Sequence, residues 1–575
     1  MKTISTDVLV VGAGPSGLTA ATLLAEYGVS ALTITRYPST AHTPRAHITN
    51  IRTMEIFRDL GIVPNVERAS QKLSFLRHNI MAHSLAGMEI SRYRSYGTPA
   101  DRLSDYAEAS PCVPLNCPQH VMEPVLLEAA RDRGADIRFS NELVDFEQTA
   151  DEVKSRVRDR ETGEEYFVRS RYLIGADGGR STVAEQLGIE FEGEAGLQSM
   201  VNMWVEADLE KYTAYRPGVL YTIFQPGGVG IGTWINVSPW NDWIFVSQGP
   251  ADTPEEVLLE RARATIGDAD VPIRVKNIIG WQVNHLFATE YSRGRVFIAG
   301  DAAHRHPPSG GLGTNTSVQD AYNLVWKLAF VLSGKAGEEL LESYHAERQP
   351  VGKAVVERAM KSLNNSSPLA KALGVRPGQS FEEGAAALRE LFSDAPGAAE
   401  RRDALAAGVK LQNYRSNALG VELGQRYESD AIVGDGTPFP EYARDPELYY
   451  HPTTHPGAYL PHAWIEHRQK EVSTLDLAGH GRFSLIVGIG GEPWASAAAE
   501  VAAEFGVDLP VYPVGYRCEY DDVLGDWTRI REVDDDGALL VRPDRHIAWR
   551  CKTAPDDPAG TLRAVLRQVL NRAGN

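Results

Sequence analysis

One stretch constrains this chain more than any other: "TDVLVVGAGPSGLTAATLLAEYG". Four consecutive apolar residues, Val8 to Val11, run directly into Gly12-x-Gly14-x-x-Gly17. Such a run suits a strand buried on both faces. The segment after it carries Leu18, Ala21, Leu24 and Ala25 at helical spacing and stops at Gly28. Strand, glycine turn and helix in this order form the dinucleotide-binding fingerprint. Gly12 permits the tight turn, Gly14 admits a pyrophosphate to the backbone, and Gly17 lets helix and strand pack closely. Pro15 lies in the same phosphate-facing turn, and the helix N-terminus favours anionic phosphates. The pattern departs at the end of the second strand, "SALTITRYP", where an acid should meet ribose hydroxyls. Thr35 and Arg36 stand there instead. Thr35 is expected to hydrogen-bond a ribose, and Arg36 either contacts an adenosine half or ends a solvated strand.

With 575 residues the chain is too long for one core, so two to four domains are expected. A net charge of −18 argues against a nucleic-acid partner. Cys112, Cys117, Cys518 and Cys551 are too few for a disulfide scaffold and suit a reducing, cytoplasmic setting. Cys112-x4-Cys117 lacks a second ligand pair at zinc-like spacing. No apolar run approaches the roughly 18 residues that span a bilayer, so no membrane association is expected. The amino terminus does not read as a signal peptide, because its short apolar run ends in glycines.

Two more apolar strands end in Gly/Asp pairs. "YLIGADGGRST" delivers Asp177 and Gly178; "GRVFIAGDAAHRHPPSGGLGTN" delivers Gly300 and Asp301. Strand carboxyl ends are where an open α/β sheet binds its ligands. The second of these stretches also holds His304-x-His306, which could be metal ligands, and glycines that could line a cofactor bed. Thr316-x-x-Gln319 fits a capping box for a helix starting near Asn315. Between the first two motifs, "TPRAHITNIRTMEIF" sets Arg45, His47 and Arg52 in a loop that turns into a helix near Thr53.

In order and spacing these motifs resemble the FAD-dependent aromatic hydroxylases, the single-component flavoprotein monooxygenases. The resemblance is dense over about residues 1–360 and includes "NCPQHVMEPVLLEAA" and "DAYNLVWKLAFVLSGKA". "RYPSTAHTPRAHITN" and "HRHPPSGGLGTNTSVQDAYNLVWKL" are closest to the phenol and 2,4-dichlorophenol hydroxylases within that family. The resemblance implies FAD as cofactor, NADPH or NADH as co-substrate, and O₂. It implies hydroxylation of a phenolic ring ortho or para to its hydroxyl through a C4a-hydroperoxyflavin. It also assigns roles. Asp301 holds the ribityl chain; Pro307 and Pro308 wall the isoalloxazine; Gly310, Gly311, Leu312, Gly313 and Asn315 face the flavin pyrimidine edge. Arg45 lies beside the flavin, Gln119 contacts FAD, and Asp177 with Gly178 touches FAD and serves NAD(P)H use. The histidines are then not metal ligands, no metal is expected, and His304 packs and hydrogen-bonds near the cofactor. His47 occupies the loop position where phenol hydroxylases place an acidic substrate-activating residue, so it is a candidate base or hydrogen-bond partner for the substrate oxygen. A loop histidine that supports the flavin is the other reading. Tyr291 is a second candidate for the substrate oxygen.

The expected fold is α/β with α+β. A Rossmann-like FAD domain (1–185 and 286–360) is interleaved with a β-sheet substrate domain (186–285, with about 75–105 joining it). A helical linker (361–410) and a thioredoxin-like carboxyl-terminal domain (411–575) follow, the last without a C-x-x-C. The middle segment is rich in β-branched and aromatic residues with glycine turns, and Trp204, Tyr221, Phe224 and Trp234 are candidate pocket residues together with Pro308. The carboxyl-terminal domain is expected to serve dimerisation, giving a homodimer, or lid support, or to be a stability module. Two other substrate readings stay open, a hydroxypyridine-like heteroaromatic or a polyketide intermediate, hydroxylated or epoxidised. A flavin oxidase and a non-catalytic carrier of the same fold are the remaining alternatives.

Overall fold

The structure is a computed structural model and describes residues 2–224, 231–374, 376 and 379–572. The fingerprint strand Thr3–Val11 lies inside an eight-stranded sheet. It runs parallel to Glu165–Gly175 on one side and to Ala31–Ile34 on the other, with Val8 opposite both Tyr172 and Ala31. Val296–Ile298 continues the parallel set beyond Glu165–Gly175. The three motif-bearing strands are therefore adjacent and point the same way, so their glycine motifs emerge along one edge. Val8, Leu9 and Val10 have no solvent exposure, as expected of a strand packed on both faces.

A second eight-stranded sheet reads, across its width, 304–305, 274–288, 191–206, 242–248, 231–238, 218–224, 78–82 and 89–94. The early hairpin His78–Ala82 and Glu89–Arg94 joins it by parallel pairing to Gly218–Phe224. Helix Glu255–Ile266 covers one face, burying Val201, Met203, Tyr221, Trp234, Trp243 and Phe245 with Leu258 and Ala262. The other face carries Leu220 and Ile235, which meet Ile48 of the first unit. The glycine turn read at 225–230 falls outside the described residues.

Helices Ser367–Leu373, Phe381–Leu391 and Ala398–Leu411 do more than link. Leu369, Leu373, Leu388, Leu391 and Leu405 pack on Met81, Ile90 and Phe224, covering the end of the sheet where an exposed edge is a liability. The carboxyl-terminal seven-stranded sheet begins only at Trp464. Ser484–Val487 crosses through helix Glu492–Phe505 to a parallel partner, Val511–Gly515. It then pairs antiparallel with Ala538–Val541, which hairpins to Ile547–Cys551 before helix Pro558–Val569. This unit shares a core with the first: Phe483 meets Trp326 and Phe330 edge-on, at 5.8 and 5.5 Å between ring centroids.

Candidate active site

The fingerprint glycines are fixed by close approach. Gly12 has φ +112°, and a Cβ there would sit 2.1 Å from the Ala176 carbonyl oxygen. A Cβ on Gly17 would sit 1.9 Å from the Gly12 oxygen. Gly14 is the exception: its nearest foreign atom is Glu123 Oε1, 4.0 Å away, so the outer side of the turn is open. Pro15 starts the helix, which has no acid in its first turn, and Ser16 Oγ is buried there without a partner. Gly300, at φ +64°, is wedged between Ser16 and Ser317, where the helices Pro15–Glu26 and Gly313–Leu332 begin. Asp301 follows it, exposed and unpaired among the described residues. An open glycine, an orphaned buried hydroxyl, two helix N-termini and a free carboxylate match a phosphate-linked, hydroxyl-rich cofactor. FAD fits these residues.

The remaining cofactor-side residues divide. Gly178 (φ +82°) has open space beside it. Asp177 accepts from Ser181 Oγ at 2.5 Å and Val183 N at 3.2 Å, so its carboxylate serves the start of the next helix. Thr35 is buried, and its hydroxyl accepts from Tyr37 N at 3.4 Å within its own turn. Arg36 lies over the Tyr37 ring. Arg45 is exposed, with no carboxylate pairing it among the described residues. Gln119 donates to Glu123 Oε1 at 2.6 Å, and Glu123 also accepts from Ala41 N at 2.5 Å. Glu123 is thus a carboxylate beside Gly14; it comes from a helix remote in sequence, while Thr35 stands at the usual acidic position.

The loop 307–313 ends in a helix that starts earlier than the sequence suggests. Helix Gly313–Leu332 has Leu312 at its N-cap, and no capping box forms. Thr316 Oγ1 instead donates back to the Leu312 carbonyl at 2.9 Å, and Gln319 Oε1 is buried without a partner. The first-turn N–H groups, which have no helical acceptors, remain available at the site. Pro308 is exposed, and a Cβ on Gly311 would strike Ile48 at 2.8 Å. Two of the expected contacts are corrected at side-chain level. Leu312 is turned into a cluster with Val351, Val355 and Tyr427. Asn315 uses both ends of its amide, accepting from Asn50 N at 2.9 Å and donating to the Ile48 and Gly311 carbonyls. It clamps loop 46–50 to loop 307–313, so neither side chain is free to meet a cofactor.

That clamp delivers His47. Strand Ile48–Thr49 pairs with Leu115–Asn116, and Cys117 N donates to the His47 carbonyl at 2.7 Å. Asn116 Nδ2 donates to the Asn236 carbonyl at 3.1 Å, which leaves Oδ1 to face His47 Nδ1 at 2.9 Å. An acceptor at that place requires Nδ1 to carry the hydrogen, so Nε2 keeps its lone pair. Burial lowers the imidazole pKa to about 4; the Asn116 bond opposes the shift and the Arg415 charge adds to it. His47 is neutral at physiological pH, with its accepting nitrogen free. Sequence reading missed Asn116, whose only signal was an asparagine beside the glutamine motif.

Several proposed side chains lie elsewhere. Tyr291 is fully buried against His304, Tyr344 and Gly352, its hydroxyl unpartnered, and cannot reach a substrate. Tyr221 and Trp234 belong to the core under helix Glu255–Ile266, because strand alternation turns them from the flavin side. Phe224 shares the inward face with Leu220 but is covered by the helices after residue 366. Of the four aromatics only Trp204 retains accessible surface toward the first unit: its ring lies 5.5 Å from His120, and its Nε1 donates to Asp242 at 2.8 Å.

The histidine pair does not gather ligands; no metal-holding group of His, Cys, Asp or Glu occurs among the described residues. His304 is buried with Nε2 2.8 Å from Asp320 Oδ2. Asp320 also accepts from Gly300 N at 2.9 Å and from Arg348 Nε at 2.8 Å. The adjacent Glu347 binds Lys327 Nζ at 2.7 Å and Arg542 at 2.5 Å, and Arg542 binds Asp544. Three anions and three cations thus neutralise one another between the Gly300 turn and the carboxyl-terminal unit, as buried charges must. Asp320, Asn323 and Lys327 recur at helical spacing, a stripe that reads from sequence only as a polar interruption.

The comparisons agree with this geometry. Residues 5–359 match the family model described as "FAD binding domain", and residues 453–573 match "Aromatic-ring hydroxylase, C-terminal". The chain is 46% identical to a 2,4-dichlorophenol 6-monooxygenase from Cupriavidus pinatubonensis, covering 99% of this chain and 97% of that protein. It is 41% identical to a phenol 2-monooxygenase from a Pseudomonas species, covering 98% and 92%. Among solved structures, the flavin-dependent monooxygenase PieE in complex with FAD and substrate superposes with a TM-score of 0.96 at 45% identity, covering 99% and 100%.

Proposed function

The chain belongs to the FAD-dependent aromatic-ring hydroxylases, and from that premise we propose that it hydroxylates a phenol ortho or para to the ring hydroxyl, using NAD(P)H and O₂. The observation that carries this reading is His47, neutral and held in one tautomer by Asn116, with Nε2 free, next to Ile48, which Asn315 ties to the loop 307–313. Bound FAD supplies the reducing equivalents and the activated oxygen. The chain supplies placement. The Gly14 turn, Gly178, Asp301 and the start of helix Gly313–Leu332 hold the cofactor; Arg45 and Gln119 stand at its side. Ile48, Leu220 and Ile235 give the ring an apolar wall. His47 Nε2 accepts the hydrogen of the substrate hydroxyl, which raises electron density at the ortho and para carbons. Tyr291 has no part in this.

The carboxyl-terminal unit reads as thioredoxin-like, supported by its β-α-β crossover followed by an antiparallel hairpin and a helix. Its packing on helix Gly313–Leu332 makes it a brace for the flavin-facing loop. A homodimer belongs to the same reading and is tested by sedimentation of the FAD-loaded protein. Four free cysteines support a cytoplasmic location.

The test is NAD(P)H consumption by FAD-loaded protein against simple phenols, chlorophenols, hydroxypyridines and larger phenolic polyketides, with mass analysis of products. Stimulation by a phenol with one oxygen atom added is the expected result. Peroxide release with every phenol and no oxygenated product would replace the reading with an oxidase.

A further inference from the structure

Short helix Asn413–Ser416 lies between the substrate-side sheet and the flavin-facing loop. Its position is fixed on every side. Tyr96 N donates to the Ser416 carbonyl at 2.7 Å, Asn79 Nδ2 to Ser416 Oγ at 3.1 Å, and Gly97 N to Asn417 Oδ1 at 3.1 Å. Arg358 donates to the Tyr414 carbonyl, and a Cβ on Gly310 would lie 3.3 Å from the Arg415 carbonyl. Arg415 projects from this bolted turn, half-buried, and no carboxylate or hydrogen-bond acceptor meets its guanidinium among the described residues. Its neighbours differ. Arg358 has Glu447 at 3.5 Å and Arg102 has Asp105 at 3.1 Å. The buried Arg216, Arg348, Arg542 and Arg545 each have an acid. The Arg415 charge is felt by His47, whose protonation it opposes, and by Tyr96, whose side chain packs with Ile48 and Leu220. The carboxyl group felt at Tyr96 is Glu422, which burial raises to about 8, so it is protonated and supplies no compensating charge at neutral pH. A half-buried cation without a counter-ion, carried on a turn fixed against the Gly310 loop and against Tyr96, which packs with Ile48 and Leu220, is a site for an anion that arrives with the substrate.

We propose that Arg415 is a further substrate-binding residue, the counter-ion for an anionic oxygen on the aromatic ring, and that it selects substrates able to present one. This rests on the phenol reading above. For a phenol, the O–H bond breaks, the proton passes through His47 Nε2 to solvent, and the electron pair stays on oxygen as phenolate opposite Arg415. A ring carboxylate offers the same chemistry without proton loss.

The test titrates FAD-loaded wild type, Arg415→Met and Arg415→Lys with para-nitrophenol, para-nitrobenzoate and para-nitroanisole. Phenolate is followed by its own absorbance, and flavin content reports folding. Wild type is expected to bind para-nitrophenol as phenolate below the pH at which the free ligand ionises. Arg415→Met should weaken that binding at least tenfold, Arg415→Lys should recover part of it, and para-nitroanisole binding should not change. Arg415-dependent binding of para-nitrobenzoate alone supports the site with carboxylate as the source. Equal phenolate affinity in wild type and Arg415→Met overturns the proposal while the hydroxylase reading stands. Wild type that binds neither anion, with no phenol stimulating NAD(P)H consumption, overturns both.

Discussion

Replacing Asn116 with alanine tests the argument for His47 directly. The substitution removes the 2.9 Å bond to His47 Nδ1 and the 3.1 Å bond to the Asn236 carbonyl. Each neutral hydrogen bond contributes ~1 kcal/mol net, and a buried group left unpaired costs ~1–3 kcal/mol. The part that reaches the reaction is the loss of tautomer control, since the freed imidazole can place its hydrogen on Nε2 and stop accepting. We expect a barrier increase of roughly 1.4–2.7 kcal/mol, or about 10- to 100-fold in kcat/KM. The assay is product formation from a responsive phenol, with flavin content and the rate of flavin reduction measured on the same sample. Asn116→Asp keeps an acceptor at the same place, so it should retain more turnover than Asn116→Ala. Its negative charge should also move the acid limb of the pH profile upward, from about 4, because a carboxylate favours imidazolium. Wild-type kcat/KM in Asn116→Ala with full flavin content would show that the amide does not set the histidine, and the reasoning would fail.

Three further outcomes follow from the same geometry. Gly12→Ala, at φ +112° with an oxygen 2.1 Å from the new Cβ, should abolish flavin retention, read from the visible spectrum of the purified protein. Tyr291→Phe removes a buried hydroxyl that has no partner, so thermal stability should hold or rise by up to ~1 kcal/mol with turnover unchanged; a tenfold loss of turnover would return Tyr291 to the site. His47, His462 and His546 are all lowered by burial to about 4, against an ordinary value near 6.5. A depressed pKa means that their contribution is present above about 6.5 and is lost as pH falls through 4, so denaturant midpoints should decline across that window. Replacing His462 with glutamine should flatten the decline; an unchanged slope would remove that group from the account.

The fingerprint was legible because its constraints are local and steric. A side chain at Gly17 would meet the Gly12 carbonyl five residues earlier, and Gly12 itself sits at φ +112°, so the turn constrains its own residues; the Ala176 carbonyl that also closes on Gly12 follows the neighbouring strand. The Gly300 turn was legible from its positive φ, +64°, while the serines that crowd it, Ser16 and Ser317, come from two other elements. The helix after it was placed two residues late because a Thr/Gln pair at capping-box spacing also occurs inside helices. There, the threonine returns its hydroxyl to the preceding turn.

The aromatic strands show where local pattern stops. Alternation told that Tyr221 and Phe224 differ in face, and that Tyr221 pairs in register with whichever residue lies opposite; it could not tell which face would be covered by helix Glu255–Ile266. Docking decided that, burying Tyr221 with Trp234 and leaving Trp204 toward the flavin unit. His47 was nameable as a candidate from its loop, but its tautomer comes from Asn116, 69 residues away, and from a carbonyl on the second sheet. Arg415 carried no motif at all. Its significance is the lack of a neighbour, and that exists only when three units of the chain have closed around it. The sequence alone determined the fingerprint turn and the order of the motif strands, because sterics within a turn and strand–turn–helix patterning are short-ranged. Tertiary structure decided the groups around the substrate, because charge balance, burial and hydrogen-bond direction depend on residues brought together from distant parts of the chain.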